Sequence, residues 1–225
     1  MSAPAGLRAA LARHGLVPRG GFAFAAGEPR PDGPDGRPAA ALVLVGHAGG
    51  SLWPHFVRWR ERQPALPADP LDASSRAVLA PIAARFGARA VYPFARPHAP
   101  FQRWAMRAEG LAAGPLGILM HDAYGPWHAY RGALLFADAM AIQEPRAPNH
   151  PCVACAGKPC LSACPVGAVS SEGLDVAACR AHVSSAAGAA CRTGGCLARN
   201  ACPVGARHRY PAAQQAFHMA AFLDG

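Results

Sequence analysis

Residues 1–151 contain no cysteine, so no disulfide or thiolate metal site can hold them and they must fold on apolar packing. Long apolar runs are missing too. The stretch Ala39 to Val45 is among the longest and falls far short of the ~20 residues a membrane helix needs, which predicts a chain that is not embedded in a membrane. Met1 to Gly15 shows no apolar core followed by a small-residue cleavage site, so a cytoplasmic, reducing location is expected and disulfides are not. There is no H-E-x-x-H, P-loop or G-x-S-x-G motif, which removes the chemistries those signatures announce. Lysine is nearly absent: Lys158 stands alone among 22 basic residues, set against 13 acids. The formal charge of +9 divides into +6 for residues 1–151 and +3 for the remainder, and neither part carries a basic tail. Because the arginines are scattered and not interleaved with stacking aromatics, a nucleic-acid partner is not expected. They read as solvated side chains, with electrostatic steering of an acidic electron donor as the second reading.

The apolar pattern predicts alternating helices and strands over positions 1–143. Helices are expected at Ala3–His14, from a cap at Ser51 to about Arg62, from an N-cap at Asp72 to Phe86 with Pro81 kinking or splitting it, and at Phe101–Gly110. Strands are expected at Gly21–Ala25, Ala40–Val45, Arg89–Phe94, Pro115–His121 and His128–Ala137. The residues Gly46-His47-Ala48-Gly49-Gly50 lack large side chains, which lets a ligand or another backbone come close. Gly27 to Pro38 reads as an exposed loop. The mixed order implies an α+β layer with a partly antiparallel sheet. Three prolines within Glu144–Pro151 mark a linker, and Pro211–Leu223 is a last helix within a C-terminal segment, 208–225, packed by Phe217, Met219, Phe222 and Leu223.

All eight cysteines lie between positions 152 and 202: Cys152, Cys155, Cys160 and Cys164, then Cys179, then Cys191, Cys196 and Cys202. Two of them, Cys164 and Cys202, open the same phrase, Ala163-Cys-Pro-Val-Gly-Ala168 and Ala201-Cys-Pro-Val-Gly-Ala206. Four thiolates arriving from short loops are what a cubane requires. Proline after the ligand stiffens the turn, and glycine permits the positive-φ bend that follows. Two all-cysteine zinc sites are the alternative, although zinc ribbons space paired C-x2-C knuckles well apart and have no need of Cys-Pro. The first half is C-x2-C-x4-C-x3-C-P and the last group C-x4-C-x5-C-P, longer spacings than those of the simple two-cluster ferredoxin.

The internal repeat resembles that of two-cluster ferredoxins, in which the Cys before Pro reaches across to the other cluster. That likeness implies two [4Fe–4S] clusters in a ferredoxin-like module over residues 152–207, one held by Cys152, Cys155, Cys160 and Cys202, the other by Cys164, Cys179, Cys191 and Cys196. The order of four Cys, one isolated Cys and three ending in Cys-Pro is similar to the cluster module of epoxyqueuosine reductase and of corrinoid reductive dehalogenases. Ahead of it, Gly114-Pro-Leu-Gly-Ile-Leu-Met-His121 and Tyr124-Gly-Pro-Trp-His-Ala-Tyr-Arg-Gly-Ala-Leu-Leu135 resemble a strand pair of the CblC-type cobalamin-processing family, as do Asp69-Pro-Leu-Asp72 and the helix after it. The resemblance implies a nitroreductase-like, CblC-type sandwich over 1–143, with Gly117, Met120, His121, Trp127, Arg131 and Gly132 near a corrin ring. A hydrogen-bonded strand-end role for His121 and a surface role for Arg131 stand as the plain alternatives, and His47 and His128 are further candidates.

Two functions from different classes follow. In the first, the chain is an iron–sulfur oxidoreductase that passes single electrons from an external donor (a reductase, a flavodoxin or a ferredoxin) to a bound corrinoid. In the second, it is a ferredoxin-like carrier whose first domain docks a partner. A flavin in the first domain is a third possibility. No residue stands out as a proton donor.

Overall fold

The computed structural model of the protein describes residues 4–140 and 150–224. In chain order the elements are α1 (Leu7–Ala12), β1 (Val17–Ala23), β2 (Ala41–Ala48), α2 (Trp53–Glu61), α3 (Pro70–Arg85), β3 (Ala88–Val91), α4 (Phe101–Glu109), β4 (Ala112–Ala113), β5 (Leu119–Met120), β6 (His128–Phe136), α5 (Pro159–Ser162), β7 (Val169–Ser170), β8 (Gly173–Leu174), α6 (Val176–Ser184), α7 (Ala189–Gly194), α8 (Leu197–Asn200) and α9 (Ala212–Asp224). Helices and strands are mixed, as expected. The chain divides into two compact units, 1–110 with 129–147, and 111–128 with 148–225. The segment 111–128, expected in the first domain, and the C-terminal segment 208–225, expected apart, both group with the cysteine-bearing residues. Residues 144–149 of the expected linker lie outside the described residues.

The first unit is built on a sheet of order β1-β2-β6-β3. Strand β2 is buried along almost its whole length, as a continuous apolar run in a central strand should be. Period-two alternation sends Ala41, Val43 and Val45 into one core with Leu7 and Leu11 of α1, Leu79, Ile82 and Ala83 of α3, and Leu134 and Phe136 of β6. Strands β1 and β2 pair antiparallel, with an irregularity between Pro18 and Gly21, and β3 pairs antiparallel with β6 from Ala88↔Phe136 to Val91↔Ala133. A Cβ at Gly46, inside β2, would collide with the Ala129 carbonyl, so its close neighbour is another backbone. Helix α3 continues through Pro81 without splitting, and its N-cap is Asp69, followed by Pro70 at the first helical position. Asp72, the expected cap, points elsewhere. Ser51 does not cap α2; its hydroxyl donates to the Gly15 carbonyl (2.7 Å).

A buried polar knot joins α4 to the sheet in this unit. Arg19, 2% exposed, donates from Nε and Nη2 to both carboxylate oxygens of Glu109 (2.8 and 2.9 Å), and the Tyr130 hydroxyl donates to the same carboxylate. Burial, followed by the Glu109 charge, pushes the Tyr130 phenol far above its ordinary range. No periodic pattern in the sequence marks this trio.

The second unit has far less apolar material. Its core is Leu116, Val169 and Ala198, with Ile118, Leu161, Leu174 and the thiols of Cys160, Cys164 and Cys196 packed around them. Two-residue ladders, β4 with β5 and β7 with β8, are all the sheet it has among the described residues. Only Leu119 and Met120 of the expected strand 115–121 are extended, because Pro115 to Gly117 form a turn closed by the Gly117 N–H on the Gly114 carbonyl (2.9 Å). Trp127, 0% exposed, packs edge-on against Tyr210 (5.5 Å between centroids), and the Arg199 guanidinium lies 4.6 Å from both ring centres. Helix α9 packs on α7 through buried Gln214 and Gln215, with Phe217, Met219, Phe222 and Leu223 half-buried or more exposed. No helix among the described residues is long and apolar enough to cross a membrane.

Candidate metal centre

The sequence repeat is also a repeat of local structure. Helices α5 and α8 are each four residues long, occupy the same place in their halves of the repeat, and each ends just ahead of a Cys-Pro: Cys164-Pro165 and Cys202-Pro203. The glycines that close the two phrases, Gly167 and Gly205, both take positive φ, 63° and 66°. At Gly205 this also permits close packing, since a Cβ would run into the backbone of Tyr124; on the other side a Cβ at Gly125 would strike the Val204 carbonyl. The turn 122–126 is thereby seated on the last Cys-Pro loop.

The eight cysteines arrive from different elements: Cys152 and Cys155 from the turns before α5, Cys160 from α5, Cys164 just after it, Cys179 from α6, Cys191 from α7, Cys196 at the start of α8 and Cys202 just after it. All are free thiols, and Cys191 and Cys202 are buried. They gather in two quartets. Cys164, Cys179, Cys191 and Cys196 line one small, nearly apolar cavity with Val169, Leu174 and other neighbours. Burial pushes the Cys179 thiol up, and the charges of Cys196, Cys164 and Cys191 push it further. Cys196 is raised by burial and by Cys191 and Cys164, while the N–H groups of Arg199 and Ala198 in the first turn of α8 favour its thiolate. In the other quartet burial raises Cys152, as do the charges of Cys202, Cys160 and Cys155. Cys202 is raised by burial and by Cys160 and Cys155, against the Val204 N–H.

Among the described residues there is no group of three or more His, Cys, Asp or Glu side chains that could hold a metal ion. Thiolates around one zinc ion at about 2.3 Å must stand roughly 3.8 Å apart in a tetrahedron, which is the close set such a site needs. A cubane takes one thiolate at each of four iron corners and accepts a wider spread. The second quartet is walled by apolar side chains, and backbone N–H groups face its Cys196.

The residues expected near a corrin ring are divided between the two units. In the second, Met120 is buried against Gly114 and Trp127 is buried between Tyr210 and Arg199, its indole N–H without an acceptor among the described residues. His121 is partly exposed, stacks on Tyr124 (4.3 Å), and accepts at Nδ1 from the Ala123 N–H (3.0 Å). Gly117 has open space around its Cα. In the first unit Arg131 is no surface cation: it pairs with Asp72 and its Nε donates to Ser75 Oγ (3.0 Å), which ties β6 to α3. Gly132 is small because a Cβ would press on Leu79 at 2.7 Å. His47 is buried and faces the Gly49 carbonyl (3.0 Å), and His128 faces the Leu119 carbonyl (2.8 Å). Sequence reading missed Tyr210 and Arg199, whose aromatic–cation packing around Trp127 has no spacing signature.

No protein-family model matches the chain. No curated protein matches it either. Among solved structures, a B12-trafficking protein CblC of C. elegans is similar to it at 12% identity and a TM-score of 0.42, over 95% of this chain and 92% of that one.

Proposed function

We propose that the chain is an iron–sulfur electron-transfer protein whose second unit holds two [4Fe–4S] clusters, with ligands that cross the sequence repeat. The observation that carries this reading is the sorting of eight cysteines into two quartets, each of which takes its Cys-Pro thiol from the other half of the repeat. When bound, such clusters relay one electron at a time. The chain's own groups set the terms. Val169, Leu174 and Leu197 keep water from the cavity of the second quartet, and the N–H groups at the start of α8 and at Val204 face thiolate sulfurs, where they ease reduction. We further propose a corrinoid as electron acceptor, supported by the likeness of segments 114–121 and 124–135 to the CblC-type strand pair. His121 and Gly117, which keep accessible atoms, are the residues through which it would be met.

Anaerobic reconstitution tests the first proposal. About eight irons per chain are expected, whereas stoichiometric zinc with no iron uptake would overturn it. Spectroscopy of Cys202→Ala should show damage to the cluster of Cys152, Cys155 and Cys160, with the other intact; the reverse pattern would refute the crossing. For the corrinoid, anaerobic titration with hydroxocobalamin and its base-free analogue should shift the cobalt absorption bands. No shift with either leaves an electron carrier without a corrinoid.

A further inference from the structure

A cavity of about 610 Å³ lies in the first unit, lined by none of the cysteines and by none of the residues expected near a corrin. That is within the ~300–1,000 Å³ usual for small-molecule sites. Helix geometry builds it. On α3, Ser74, Ala77, Val78, Pro81, Ile82 and Arg85 fall at steps of three and four and form one stripe; on α2 and its flank His55, Phe56, Trp59 and Arg62 form another. Ala77 and Ser74 are small and leave room between the two stripes, which form a trough. The chain leaving α1 closes one end with Arg13 and His14.

The trough has an apolar floor and a cationic rim. Phe56 and Ile82 are buried, and Trp59 stacks on Phe56 (6.4 Å, 17° between planes) while keeping part of its surface accessible. Around them stand the exposed guanidiniums of Arg13, Arg58, Arg62 and Arg85, and no carboxylate lines the cavity. Elsewhere in this unit Arg19, Arg37, Arg89, Arg107 and Arg131 are each paired with an Asp or Glu. Among the described residues the four rim arginines have no carboxylate partner; Arg58 meets the ring of His55 by hydrogen bonding (3.1 Å). Four guanidiniums without carboxylate partners around an aromatic floor set up a field for a dianion, and arginine's planar fork matches phosphate oxygens two at a time. A free inorganic anion would leave most of the trough unused.

We propose that this trough binds a phosphorylated aromatic small molecule of mononucleotide size, its ring on Trp59 and the α3 stripe and its phosphate on the arginine rim. The reading is independent of iron and corrinoid. Isothermal titration of the full chain with adenosine 5′-monophosphate and with flavin mononucleotide tests it, with adenosine, riboflavin and inorganic phosphate as partial probes. At least one mononucleotide should bind at micromolar concentration, and its phosphate-free form at least tenfold more weakly. The double change R58A/R62A should weaken binding tenfold or more. Ala77→Trp, at an exposed helix position where bulk costs little stability, should fill the trough and abolish binding while the thermal midpoint stays put. No binding of either mononucleotide at millimolar concentration would overturn the proposal, as would binding unmoved by Ala77→Trp, or phosphate alone binding as well as the nucleotide. An oligo-glutamate peptide binding where both mononucleotides fail would also overturn it, in favour of an acidic protein partner.

Discussion

The two units solve the problem of staying folded in opposite ways. The first covers a four-stranded sheet with helices and buries Leu7, Leu11, Leu44, Leu79 and Leu134 completely. The second devotes much of its chain to four-residue helices, two-residue ladders and a core in which cysteine sulfurs stand beside Leu116 and Val169. Among its described residues few large apolar side chains are fully buried, and small domains built so rely on a staple. On the proposed function, binding of iron by the thiolates would be folding free energy for the second unit and nearly irrelevant to the first.

The largest effect expected is therefore unit-specific. Stripping iron from the loaded protein should collapse hydrogen-exchange protection in α6, α7 and α8 while β2 and residues 129–136 of β6 stay protected. Mass-spectrometric exchange on loaded and chelated protein reads both at once, and equal protection of the two units without metal would break the comparison.

Next come the two cores. Leu134→Ala empties a site with 0% exposure between β2 and α3 and should cost about 3–4 kcal/mol, seen as a lower urea midpoint for the first unit with iron content unchanged. Arg19→Ala leaves the Glu109 carboxylate with the Tyr130 hydroxyl as its remaining side-chain partner among the described residues, and breaking a buried pair of this kind costs about 3 kcal/mol. Replacing both with Met and Leu should recover most of that loss. A double replacement as damaging as the single one would show that the knot serves packing more than charge.

How much of this is legible in the sequence differs between the units for the same reason. Strand β2, helix α4 and strand β6 follow from periodic apolar residues and sit within a few positions of where the pattern puts them, because burial in a layered core is what the period records. Asp72 is readable as a helix-start residue but not as the partner of Arg131, 59 positions away, and the cap falls to Asp69 because Pro70 fixes the first helical φ. In the second unit the repeated Cys-Pro-Val-Gly phrase marks a repeat of local structure, a four-residue helix followed by a Cys-Pro turn with a positive-φ glycine. It says nothing of residues 111–128 joining that unit, since the seat of Gly125 on Val204 is a fit between two backbones. The arginine-rimmed trough is spread over three helices, so in the sequence its guanidiniums read as ordinary solvated charge.

The smallest effect sharpens the contrast inside the second unit. Asp175 caps α6: its Oδ1 accepts from the Ala178 N–H at 2.9 Å, and its carbonyl accepts from the Cys179 N–H at 3.1 Å. The cap thus fixes the turn that carries Cys179 toward its quartet. Asp175→Ala should cost about 1 kcal/mol and speed exchange at residues 176–179, with little change in total iron, because three other thiols still anchor the site. Asp175→Asn separates two roles. The amide oxygen keeps the cap, while removal of the charge relieves its push on the Cys179 thiol, the least of the influences that raise it. Near-normal exchange in Asp175→Asn, set against fast exchange in Asp175→Ala, assigns the effect to the hydrogen bond. Equal damage in both would mean that the negative charge at the start of α6, favourable to the helix dipole, is what holds the turn.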